Sequence, residues 1–186
     1  VQSDINEVKR RFLRCVYLVT EVEQRPQRLL AEMEALRQVG NAELGLKLLV
    51  ESDFPGDPTL EGLDEFLPAW IELLKEATRE LRAWGREARR LLREAVEMQG
   101  GVSGLGELAR LQGQEHPEAF HEWVGLLVRT DCVEEAIAAA QEGVKKIQDP
   151  AYKARMADRL GQLALRQNDV ELAVEAAQKG WRALPT

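Results

Sequence analysis

The residues best equipped for chemistry are few. His116 and His121 are the only histidines, with Glu115, Glu118 and Glu122 around them. Imidazole and carboxylate together could ligate a metal or move a proton. The spacing argues against both. The histidines stand five apart, whereas four would put two ligands on one helical face, and Pro117 between them marks a helix start. His116 therefore reads as a residue just ahead of a helix, and His121 as a surface residue. Cys132 sits beside an expected helix N-terminus, which could lower its thiol pKa, but no histidine or basic residue adjoins it. Cys15 falls on an apolar stripe and reads as core. A phosphate-cradling glycine loop, a nucleophile motif and paired carboxylates are all missing from the sequence. The expectation is a non-enzyme with no catalytic residue, metal ligand or cofactor.

Arginines and tryptophans offer a different chemistry, that of binding. Arg79, Arg82, Arg86, Arg89 and Arg93 step by 3, 4, 3 and 4, which makes one basic strip on a helix. The strip could hold phosphates or an acidic partner. Glu72, Glu76, Glu80, Glu87 and Glu94 interleave with it, so a solvated face laced with ion pairs is the preferred reading. Trp70, Trp84, Trp123 and Trp181 could anchor an interface. Core packing is the default for Trp123, whereas Trp181 lies in the last helix, where no later helix would cover it.

Composition bounds the answer. Of 186 residues, 45% are hydrophobic and 31% charged, and the net charge is −7. Leu, Ala, Glu and Arg dominate, which favours helix. In none of the stretches 1–57, 58–100 and 101–186 do basic side chains outnumber acidic ones. That argues against a dedicated nucleic-acid or anionic-membrane binder, whose affinity rests on neutralising phosphates. No apolar run approaches the roughly 20 residues needed to span a bilayer. Two cysteines far apart suit a reduced, cytoplasmic setting. The start, VQSDINEVKRR, is too polar for a signal peptide, and its lack of Met reads as a piece processed or excised from a longer protein.

Helices must position these residues. The first is expected over 3–24, with Ser3 and Asp4 as N-caps and Ile5, Val8, Phe12, Cys15, Val19 and Val22 as its inward stripe. A second follows Pro26 to Gly40, and a third covers 42–51. Residues 52–58 (SDFPGDP) forbid regular structure. A short helix over 59–67 should stop at Pro68. The longest helix then runs over 69–98, with Trp70, Leu74, Ala77, Leu81, Trp84, Ala88, Leu91 and Ala95 as a heptad seam that meets the first helix's stripe. The glycines at 100, 101, 104 and 106 predict a flexible connection.

The last third repeats itself. Val133, Glu134, Ala136, Ala139, Ala140, Gln141 and Gly143 meet identical residues 37 positions on, from Val170 to Gly180. Asp131 with Glu134 and Asn168 with Glu171 read as two capping boxes at the same offset. Such a period predicts helix pairs stacked as an array. The second copy resembles a tetratricopeptide repeat in Leu160-Gly161, in the small residues Ala173 and Gly180, and in Pro185. The first copy departs from that pattern, with Trp123-Val124 in place of Leu-Gly and Gln148 in place of the proline. The run from Ala157 to Pro185 also resembles the C-terminal helical region of bacterial proteins that carry an upstream SWIM zinc finger, whose Cys-x-Cys and Cys-x-His ligands this chain lacks.

The tetratricopeptide resemblance implies an all-α fold of antiparallel helical hairpins in a TPR-like array, here with one long central helix. Three parts are expected: a hairpin region (1–57), the long helix (58–100) and the repeats (101–186). The resemblance also implies a scaffold that holds another protein or peptide on a surface lined by the first helix of each pair. Arg155, Arg159, Gln162 and Arg166 form a polar strip there, stepping 4, 3 and 4, and are the expected contacts. Trp181, Leu184 and Val174 are expected at an uncapped end of the array. The alternative is a regulatory subunit that meets nucleic acid through the strip from Arg79 to Arg93.

Overall fold

The computed structural model describes residues 2–37, 44–50, 60–80 and 85–184, with the backbone alone for residues 2–4 and 80. All regular structure among them is helical. The chain divides into two compact units, Val1–Gln99 and Gly100–Thr186.

In the first unit, α1 (Gln2–Val19), α2 (Arg25–Arg37), α3 (Leu46–Val50), α4 (Leu63–Glu80) and the start of α5 (Gly85–Gln112) enclose one core. A single 3-10 turn, Val22–Gln24, joins α1 to α2. The seam expected on the long helix is buried at every described position: Trp70, Leu74, Ala77, Ala88, Leu91 and Ala95. Leu81 and Trp84 lie outside the described residues, as does the junction between α4 and α5, so the single helix expected over 69–98 is described as two.

The stripe expected to face that seam is instead exposed. Ile5, Val8, Phe12, Cys15, Val19 and Val22 all point to solvent, and Cys15 is not core. α1 turns a second stripe inward, Leu13, Val16 and Tyr17. Beside it run the buried stems of Lys9 and Arg14. Their charged ends reach carbonyls on other helices: Lys9 Nζ donates to Leu36 O near the end of α2, and Arg14 donates to Leu49 O at the end of α3. A cation at a helix C-terminus is favoured by the helix dipole and by the open carbonyls there. That is why two charged residues take the inner face.

α3 is too short to hold itself together, since a single turn recovers little of its nucleation cost. Its N-terminus is closed by Glu94, whose Oε1 accepts from Lys47 N at 2.5 Å. Burial raises the Glu94 pKa, against the pull of Lys47 N–H and Arg90.

One break expected from the sequence is absent, and another narrows to a single residue. Pro68 does not stop a helix but lies inside α4. The lost hydrogen bond and ring clash cost about 3 kcal/mol, offset by burying Phe66, Leu67, Trp70 and Ile71 on either side. Tyr17 meets Phe66 edge-on and Phe66 stacks on Trp70 there, with ring centroids 5.1 and 5.5 Å apart. The glycine run after 100 does interrupt the helix, at Gly101 with φ 55° and ψ −140°, while the glycines on either side of it are helical. Only glycine takes that conformation readily, so the helix kinks there and then resumes. Gly106 stays because the Trp123 ring lies against it: an added Cβ would come within 2.9 Å of the indole.

In the second unit, α6 (Glu118–Arg129) packs on α7 (Val133–Lys146), α7 on α8 (Pro150–Arg166) and α8 on α9 (Val170–Ala183). Phe120, Val124, Leu127, Met156, Leu160 and Leu163 fill the core, with small alanines from α7 and α9 facing them. Small residues mark each close approach. Gly143 lies against Phe120 and Met156, and 37 residues on, Gly180 lies against Ala157. Gly161 faces Ala173 and Ala176 across the α8–α9 crossing.

The turns match bond for bond at the same offset. Cys132 N donates to Leu127 O and Asp169 N to Ala164 O, both at 2.9 Å. Asp131 N donates to Val128 O, and Asn168 N to Leu165 O. These are paired closing bonds of a helix C-terminus, with Asp131 and Asn168 in the left-handed region at φ 59°. The capping boxes expected at Asp131 and Asn168 are therefore corrected. Both residues end the preceding helix, and the N-cap positions are Cys132 and Asp169. Asp169 does cap, accepting from Leu172 N at 2.9 Å, whereas Cys132 makes no such bond. At α8, Asp149 accepts from Tyr152 N, with Pro150 at the first turn.

Candidate functional site

The first helices of the two pairs, α6 and α8, meet directly. Tyr152 Oη donates to Glu118 Oε1 at 3.0 Å, and His121 Nε2 lies 3.3 Å from the Tyr152 carbonyl oxygen. A carbonyl only accepts, so Nε2 carries the proton. The two rings stand 5.7 Å apart, and the Arg155 guanidinium lies 5.5 Å from the centre of the tyrosine ring. His121 is half-buried, which corrects its expected place at the surface. Burial lowers its pKa, and Arg159 and Arg155 lower it further against the Tyr152 carbonyl and Glu118. Hydrogen bonding to Glu118 raises the Tyr152 pKa. His116 keeps its expected place just ahead of α6.

Along α8, Arg155, Gln162 and Arg166 are exposed and Arg159 is half-buried. Gln162 donates to Asp158 Oδ2 at 2.8 Å. Gly125 on α6 gives the arginines a floor. A Cβ added there would stand 3.6 Å from Arg129 Nη1 and 3.9 Å from Arg159 Nη2. The result is a polar face, acidic at Glu118 and Glu122 and basic toward Arg129 and Arg159. Its arginines can donate hydrogen bonds to the carboxylates of a chain laid across two helices. The four α8 residues lie on that helix as the spacing predicts. Tyr152 and His121, which join the helices, were not legible in the sequence, because their pairing spans 31 residues.

The other candidates separate. Trp123 is core, with Arg110 stacked at 4.6 Å from its ring centre. Trp181 and Val174 are exposed on α9, as is Leu184 at its C-cap. Of the central arginines, Arg79 and Arg86 are exposed, Arg89 is half-buried, and Arg82 lies outside the described residues. Arg93 is buried, which corrects its assignment to an open basic strip. Arg90, off the strip, is engaged by Glu87 and Glu94.

Both cysteines are free, and Cys132 is half-buried. No group of three histidine, cysteine, aspartate or glutamate side chains is placed to hold a metal among the described residues. None of the described helices is long and apolar enough to cross a membrane. No family model matches the chain, and neither a curated protein nor a solved structure matches it.

Proposed function

We propose that this chain is a non-enzymatic interaction scaffold whose C-terminal helix pairs form a TPR-like array. The observation that carries the reading is the junction of α6 with α8 through Glu118, His121 and Tyr152. Alternate helices that touch in this way line one face, as the first helices of a helical-repeat array do. Arg155, Arg159, Gln162 and Arg166 are the contacts on it for a protein or peptide with carboxylates to offer. Trp181 and Leu184 form a second, apolar contact at the α9 end. The free cysteines suit a cytoplasmic protein.

Charge reversal tests the face. Arg159→Glu with Arg166→Glu should abolish recovery of bound protein on the immobilised chain, with helicity unchanged. Equal recovery from wild type and variant would remove this face from the account.

A further inference from the structure

α9 carries a straight apolar stripe on its outer side. Val170, Val174, Trp181 and Leu184 are 61, 52, 59 and 47% exposed, and Ala177 between them is exposed as well. The steps along the helix are 4, 3 and 4, the spacing of a seam made to meet another helix, and Leu184 follows as the cap residue just past its end. The inner side of α9 is already used, with Ala173 and Ala176 buried against α8.

We propose that this stripe is a self-association surface, which takes the same stripe of a second copy of the chain in antiparallel orientation about a two-fold axis. The charges on α9 select that occupant. Glu171 flanks the stripe in its first turn and Arg182 flanks the same side in the last turn, and both are exposed, whereas Glu175 is already taken up by Lys179 at 2.6 Å. In an antiparallel pair like flanks meet, so Glu171 of each copy comes to Arg182 of the other. A parallel pair would turn Glu171 toward the opposite flank, where Ala173 and Gly180 lie, and lose that match. Side-chain size selects the same arrangement. The bulky end, Trp181 and Leu184, lies over the slender end, Val174 and Val170. Ala177 meets its own counterpart at the centre, where the helices come closest. A surface that complements itself in this way closes on two copies and leaves no open end. The inference rests on the scaffold reading and assigns the occupant of its apolar surface, which is separate from the α6–α8 face.

Analytical ultracentrifugation of the full chain tests it. The wild type should be a reversible dimer. Trp181→Glu should raise the dissociation constant at least about 10-fold, as expected for an aromatic anchor that the interface buries. Glu171→Arg and Arg182→Glu should each weaken the dimer about 2- to 5-fold, the scale of an exposed ion pair. The Glu171→Arg/Arg182→Glu double variant should return to near the wild-type constant. Circular dichroism confirms that each variant keeps its helices. A wild type that stays monomeric overturns the proposal. So does a dimer indifferent to Trp181→Glu, or a double variant no tighter than the single ones. Arg159→Glu/Arg166→Glu should leave the dimer intact. Partner recovery that still depends on those arginines, from a monomeric wild type, would sink the self-association and spare the scaffold reading.

Discussion

His121 Nε2 donates to the Tyr152 carbonyl oxygen across 3.3 Å and so ties α6 to α8. The ring's pKa is lowered there, since burial, with Arg159 and Arg155, disfavours its charged form more than the Tyr152 carbonyl and Glu118 favour it. A histidine with a lowered folded-state pKa binds fewer protons folded than unfolded. Its contribution to stability is present above the ordinary value of 6.5 and is lost as pH falls from there through the lower folded value. Chemical denaturation of residues 100–186 within the full chain should therefore show falling stability between neutral and mildly acidic pH. His121→Gln should flatten that slope. An unchanged slope would mean the imidazole pKa is not lowered.

Asp131 and Asn168 sit at φ 59° and close the helices before them. Left-handed backbone costs a β-branched residue about 1–2 kcal/mol and costs glycine almost nothing. Asp131→Thr should lower stability by about that much, and Asp131→Gly should be neutral or better. An N-cap would tolerate threonine, so equal stability of Asp131→Thr and wild type would contradict this placement.

Gly45 adjoins α3 because the Glu94 carboxylate occupies the space a side chain would take. An added Cβ would stand 2.5 Å from Glu94 Oε2. Gly45→Ala should displace the carboxylate from Lys47 N and cost about 1 kcal/mol, the size of a lost cap. In a Glu94→Ala background the same change should cost only a few tenths, because the two residues share one interaction. Additive losses in urea denaturation would show that they act independently.

The arginine strip has lost Arg93 to the interior. Short RNA should therefore bind negligibly at moderate salt. Tight binding with a steep salt dependence, abolished by Arg79→Glu with Arg86→Glu, would restore the nucleic-acid reading.

Helices with strong internal signals were legible in the sequence. The matched residues from Val133 to Gly180 lead directly to α7 and α9, and the small residues among them do mark the crossings with α6 and α8. Errors arose where tertiary packing overrides a local rule. Pro68 is a breaker by propensity, yet burial on both sides carries the helix through, and of the glycines after 100 only Gly101 leaves the helical conformation. α1 has two inward candidates, and periodicity alone cannot choose between them. The more apolar stripe lost because Lys9 and Arg14 find carbonyls 27 and 35 residues away. Asp131 and Asn168 were misassigned because aspartate and asparagine suit both a helix start and a left-handed helix end. The arginines of α8 were legible as a strip, but His121 and Tyr152 were not legible as the junction beside it. That junction depends on how α6 and α8 pack.

Site-specific photo-crosslinking tests the central claim most directly. A photoreactive residue in place of Gln162, on the α6–α8 face, should capture partner protein in cells. The same residue in place of Glu134, exposed on α7, should capture little. Adducts from Glu134 and not from Gln162, or from both alike, would contradict a scaffold that works through its first helices.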